Sequence, residues 1–130
     1  FPEAQLAPPI GDPLRGPYLR WMTFYGSCFE PALIDRWLKR EVVDKQTTGY
    51  GNFDDVFSTL LGQLAKGPYM LGKRFSALDV LWGGALGWMD AFNLLPKRQE
   101  IADYVARVQS RPAAVTATQK DQALAAAQTA

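Results

Sequence analysis

The stretch Gly67-Pro68-Tyr69-Met70-Leu71-Gly72-Lys73-Arg74-Phe75-Ser76-Ala77-Leu78-Asp79-Val80 governs the reading of the whole chain. Ser76 followed three residues later by Asp79 is a capping box. The Ser76 hydroxyl accepts from the Asp79 backbone N–H, and the Asp79 carboxylate reaches back to the N–H of Ser76. Phe75 just before the cap and Val80 four residues inside it can close as a hydrophobic staple. The helix that follows, Val80-Leu81-Trp82-Gly83-Gly84-Ala85-Leu86-Gly87-Trp88-Met89, is apolar nearly all round, which predicts a central buried helix. Gly83, Gly84 and Gly87 follow a helix start rather than a strand, so they predict close helix packing and not a phosphate loop.

Working outward, the same punctuation recurs. Gly67-Pro68 ends a helix over Phe53–Lys66, capped by Asn52 and apolar at Phe53, Val56, Phe57, Leu60, Leu61 and Leu64. Before it, Glu41 to Gly51 is polar and reads as a surface loop. From Leu14 to about Arg40 apolar residues recur at helical spacing: Leu19, Met22, Phe29, Leu33 and Leu38. Pro31 interrupts that helix and should kink or divide it. Asp12 is expected to cap it, with Pro13 at the first position. Residues 1–13, with Pro2, Pro8, Pro9 and Pro13, read as a linker or the end of a preceding domain. On the other side, Pro96 opens a helix to about Ser110, with Ile101, Tyr104, Val105 and Val108 inward. Pro112 opens an alanine-rich last helix to about Ala127. No strand alternation survives beyond a few residues. The expected fold is all-α, a bundle of about five helices in one domain over residues 14–130.

Composition excludes several function classes. The 130 residues are 48% hydrophobic and 12% aromatic, enough to build a core. With 14 basic and 13 acidic residues the formal charge is +1, which favours neither nucleic acid nor an anionic membrane. No apolar run approaches ~20 residues, so no spanning helix is expected. There are no histidines and one cysteine, Cys28. That removes the usual zinc, copper and haem ligand sets and the His-dependent triads; no metal site and no catalytic residue is expected in this chain. It also fits a reducing, cytoplasmic setting. The start, Phe1-Pro2-Glu3-Ala4, lacks the features of a signal peptide and reads as the middle of something longer.

Three segments together resemble the C-terminal all-α domain of bacterial-type glutathione transferases. Tyr18-Leu19-Arg20-Trp21-Met22-Thr23-Phe24-Tyr25 is similar to the first helix of that domain. Tyr69-Met70-Leu71-Gly72 with Phe75-Ser76-Ala77-Leu78-Asp79 is similar to its most specific motif, and Arg111-Pro112-Ala113 to the step before its last helices. The resemblance implies an N-terminal thioredoxin-like partner domain that binds glutathione, the co-substrate, and carries the catalytic Tyr, Ser or Cys. That domain is absent from this chain, so the chain alone is expected to be inactive, with no cofactor of its own. The resemblance further implies a cytoplasmic homodimer acting in detoxification.

Candidate residues follow from this. Thr23, Ser27 and Glu30 fall at i, i+4 and i+7, and Ile34 extends the line. By resemblance the line faces the partner domain and the electrophile cleft; on the residues alone it is equally a solvated helix face. Trp88 is implied as a wall of the electrophile pocket, with Leu81 a second candidate on that helix; plain core packing is the competing reading. Trp21, Phe24, Tyr25 and Cys28 form either a dimer contact, as the resemblance implies, or intradomain core. Cys28 has no base in evidence and reads as a structural thiol. Ser76 and Asp79 look catalytic by residue type but are assigned a structural, capping role. A second function stays open beside the first: a non-catalytic helical module of the same fold that binds protein partners.

Overall fold

The computed structural model describes residues 2–40, 44 and 46–128. Phe1, Glu41, Val42, Val43, Lys45, Thr129 and Ala130 lie outside the described residues, as do the arm, loop and last-helix assignments that fall on them. The elements are α1 (Arg15–Phe24), a π turn (Tyr25–Phe29), α2 (Glu30–Trp37), α3 (Phe53–Leu64), α4 (Ala77–Ala91), α5 (Gln99–Gln109) and α6 (Pro112–Gln128). The first three run on as one bent rod, so the all-α bundle has the five rods the sequence predicts. Among the described residues there is no strand, only two isolated bridges in the loop over residues 69–74.

Pro31 explains the bent rod. It has no N–H to donate, so the Ser27 carbonyl loses its α-helical partner. The chain answers with a π turn, in which the Glu30 N–H bonds the Tyr25 carbonyl, five residues back. The extra residue rotates everything beyond it by about 100°, one residue's step. The expected stripe therefore fails upstream of the turn. Leu19 is 48% exposed, while its neighbours Tyr18 and Trp21 are buried; Phe29 and Leu33, at and beyond the turn, are buried as expected, and Leu38, at the C-cap of α2 where the rod ends, is 46% exposed against expectation. Ser27 Oγ donates to the Thr23 carbonyl at 2.7 Å, a local side-chain bond back to the preceding turn.

α4 is the axis of the bundle. Trp82 is fully buried, with the rings of Trp21, Tyr25 and Phe29 at 5.9, 5.3 and 5.0 Å, and its Nε1–H donates to the Trp21 carbonyl at 3.3 Å. Leu60, Leu78 and Leu86 are also fully buried; each such side chain contributes roughly 1.5–3 kcal/mol. α4 and α5 touch closely because of Gly83: a Cβ there would lie 2.5 Å from a Val108 methyl. Gly87 likewise faces Val105 and Gln109. Gly84 does not share this reason. Nothing lies within 4 Å of where its Cβ would be, so close packing is not its role.

Asn52 caps α3 as expected, accepting from the Asp55 N–H at 2.8 Å. Three other ends differ from expectation. Asp12 accepts from the Leu14 N–H at 2.8 Å, but the helix proper begins at Arg15 after a tight turn. Pro96 lies before α5, which starts at Gln99 after an extended Arg98. Phe75 is held between Tyr69 and the Arg111 guanidinium, 3.7 Å above its ring, while Val80 stays 56% exposed, so the staple hides little of it.

The arm before α1 is pinned to the domain. The Leu6 carbonyl accepts from the Ala77 N–H at 2.8 Å, which satisfies a free donor in the first turn of α4. Arg15 donates to the Pro8 carbonyl at 2.8 Å, and Arg74 pairs with Asp12 at 2.8 Å.

Candidate functional site

The polar pair that most resembles catalytic machinery is structural. Both halves of the Ser76–Asp79 box are present, and both residues are fully buried. Asp79 does more than cap. Its carboxylate accepts from the Ser76 N–H at 2.9 Å, the Met70 N–H at 2.8 Å and the Tyr104 hydroxyl at 2.9 Å. One side chain thus ties the loop and α5 to the start of α4. Burial pushes the Tyr104 phenol far above its ordinary range, and the Asp79 charge adds in the same direction, so Tyr104 stays protonated and donates. No open face is left for a substrate.

The open chemistry lies at the other end of α4. Glu30, Leu33, Ile34 and Trp37 of the first rod meet Trp88, Met89 and Phe92, with Leu94, around a cleft of about 500 Å³. Its walls are apolar, and its rings are half or more exposed: Trp37 66%, Trp88 58% and Phe92 61%. Trp88 and Phe92, one turn apart, hold their rings 4.7 Å apart. Among the described residues Glu30 is the one ionisable side chain of the lining. It accepts from the Tyr25 hydroxyl at 3.3 Å. Burial raises the Tyr25 phenol's pKa and the Glu30 charge adds to the shift, which keeps that hydroxyl a donor. The cleft can bind an apolar molecule. Among the described residues its lining holds no nucleophile and no acid–base pair.

The structure therefore divides the expected site residues. Glu30, Ile34 and Trp88 come together. Thr23, before the π turn, and Ser27, within it, are exposed but lie outside the cleft lining, because the extra residue breaks the i, i+7 alignment. Leu81 is half-buried and also outside it; seven residues before Trp88, it sits roughly 10 Å up the helix axis. Trp88 is not core. In the aromatic stripe, Trp21 is 3% exposed and packs inside the domain, edge-on to Phe24 at 5.0 Å, while Phe24, Tyr25 and Cys28 are half-buried around it. Among the described residues no group of three His, Cys, Asp or Glu side chains is placed to hold a metal, and no helix is long and apolar enough to cross a membrane.

The family model for the glutathione S-transferase C-terminal domain matches residues 31–107. The chain belongs to that family. Among solved structures, a glutathione transferase from Methylococcus capsulatus str. Bath aligns with a TM-score of 0.72 at 27% identity, over 93% of this chain. The ternary complex of BphK, a bacterial GST, aligns with a TM-score of 0.69 at 23% identity, again over 93% of this chain, and shares the fold. This chain spans 61% of the length of each. A comparison with curated proteins finds no match.

Against this family frame, the residues missed from sequence are Trp37 and Phe92. Each stands one short helical step from a candidate residue, Ile34 at i−3 and Trp88 at i−4. The signal was available in that spacing. For Trp37 the π turn at Pro31 shifts the phase of the first rod; Phe92 stands at the C-cap of α4, where an apolar residue on an apolar helix reads as core.

Proposed function

We propose that this domain is the electrophile side of a glutathione transferase. The observation that carries the reading is the meeting of Glu30 and Ile34 with Trp88 in one open apolar cleft, sized for a small molecule. In the complete enzyme the glutathione sulfur, as thiolate, would bond to an electrophilic carbon of the molecule held here as that carbon's bond to its leaving group breaks, a halide leaving as the free anion in the case of an aryl halide. Ionising and stabilising that thiolate would fall to a thioredoxin-like domain. This chain offers no substitute: Cys28 is half-buried with Ser27 Oγ at 3.6 Å and no histidine exists to act as its base.

Unused apolar surface supports a partner domain. Val80, Gly84 and Trp88 make an exposed line at i, i+4 and i+8 along α4. Beside it, Leu6, Phe75, Val80 and the small residues of α6 border a groove of about 730 Å³, and α6 itself contains no buried residue. Surface of this kind belongs under another protein layer. A cytoplasmic homodimer goes with the same reading. Since Trp21 is enclosed, a twofold contact on the first rod would rest on Phe24, Tyr25 and Cys28.

The test is the intact mass of the polypeptide in its source cell, followed by conjugation of an aryl halide by the isolated protein. The expected mass exceeds 14.4 kDa by about one small domain, and Ile34→Ala or Trp88→Ala should raise KM for the electrophile with glutathione affinity unchanged. A 14.4 kDa polypeptide with no thioredoxin-like subunit would overturn the reading and favour a helical interaction module.

A further inference from the structure

The charge on the rim of the cleft is not balanced. Glu30 is exposed, and its hydrogen-bond partner is the neutral Tyr25 hydroxyl. Three cations on the flanking segments are engaged elsewhere: Lys97 with Asp90 at 2.8 Å, Arg40 with Asp35 at 3.3 Å, and Arg36 over the Phe53 ring at 4.6 Å; Lys39, two residues beyond Trp37, is exposed and outside the lining. Among the described residues no lysine or arginine lines the cleft. Three aromatic rings, two of them indoles, line the same space. Ring faces carry partial negative charge and attract organic cations, tryptophan most strongly. A carboxylate and three rings therefore favour the same sign of charge, and an anion entering would meet both without a counter-charge.

We infer that the cleft selects organic cations: an apolar, ring-bearing molecule carrying an ammonium group, with Glu30 as the residue that sets the charge preference. The inference rests on the reading of the cleft as a ligand site. It adds to that reading the class of molecule preferred. The ammonium head would lie at the Glu30 rim and the apolar body against Trp88, Phe92 and Ile34.

The test uses three probes of nearly one shape: benzyltrimethylammonium, neutral neopentylbenzene and the phenylmethanesulfonate anion. Each is titrated into the 130-residue chain while the indole N–H NMR signals of Trp37 and Trp88 are followed, assigned with Trp37→Phe and Trp88→Phe. The expected order is cation, neutral, anion, with roughly fivefold between cation and neutral compound. Glu30→Gln should remove most of the gap between cation and anion, and Glu30→Lys should reverse it; an unshifted signal from buried Trp82 checks that each variant is folded. Equal binding of all three probes overturns the charge selection while the cleft remains a ligand site. Unmoved Trp37 and Trp88 signals with every probe overturn both readings.

Discussion

The two ends of α4 solve opposite problems. At the N-terminal end every polar group is enclosed and answered: Asp79 takes bonds from Ser76, Met70 and Tyr104 in a region without solvent. At the C-terminal end large apolar rings stand in the open with a lone carboxylate across the gap. The end that looks chemical from its residue types is scaffolding, and the end that looks like core faces outward. Residue type alone ranks the two ends the wrong way round. Burial and partners rank them correctly.

The largest effect should come from breaking the enclosed end. Asp79→Ala orphans three buried donors, and the expected loss is about 4 kcal/mol, or a thermal midpoint lower by roughly 15 °C. An unchanged midpoint in calorimetry would remove the network from its place as the anchor of α4.

The glycines sharpen the contrast along the helix between these ends. Gly83→Ala drives a methyl into Val108 and should cost about 2 kcal/mol. Gly84→Ala enters empty space and should stabilise by roughly 0.5–1 kcal/mol through helix propensity. Denaturant melts of the two single variants should therefore move in opposite directions; a shared direction would mean that the α4–α5 contact is misplaced.

Tyr104→Phe removes one donor from Asp79 and should cost about 1.5 kcal/mol near neutral pH. The pH dependence has a definite sign. The phenol's pKa is raised in the folded state, so its contribution is complete below the unfolded value near pH 10 and is lost as the pH climbs above it. The stability gap between wild type and Tyr104→Phe should narrow between pH 9 and 11, and a constant gap would count against a buried, proton-holding phenol.

The smallest effect on stability belongs to the open end. Trp88→Ala, at a 58% exposed site, should change stability by no more than about 0.5 kcal/mol, yet abolish the cleft's response to apolar ligands. A large destabilisation would show that the ring carries packing after all.

What could be read from the sequence was local. The capping box, the Asn52 cap, the Gly67-Pro68 stop and the all-α class rest on interactions within a few residues, and these are present in the structure. What escaped was phase and distance. The partners of Asp79 at Met70 and Tyr104 lie nine and 25 residues away, beyond any spacing rule. The line Thr23, Ser27, Glu30, Ile34 assumed an unbroken helical period, and the π turn broke it, so Thr23 and Ser27 stay outside the cleft. Pro31 announced a disturbance but not its form, because a proline can be met by a kink, a break or an added residue.

The pinned arm bears on where this domain can be cut and rejoined. The Leu6 carbonyl completes the first turn of α4, and Asp12 and Pro8 receive Arg74 and Arg15. The smallest portable unit therefore begins before Leu6, not at the first helix. Chimeras that swap this half between relatives should place the junction upstream of Gln5, since a junction at Leu14 would graft the helices while leaving behind a piece of backbone on which the most deeply buried of them depends.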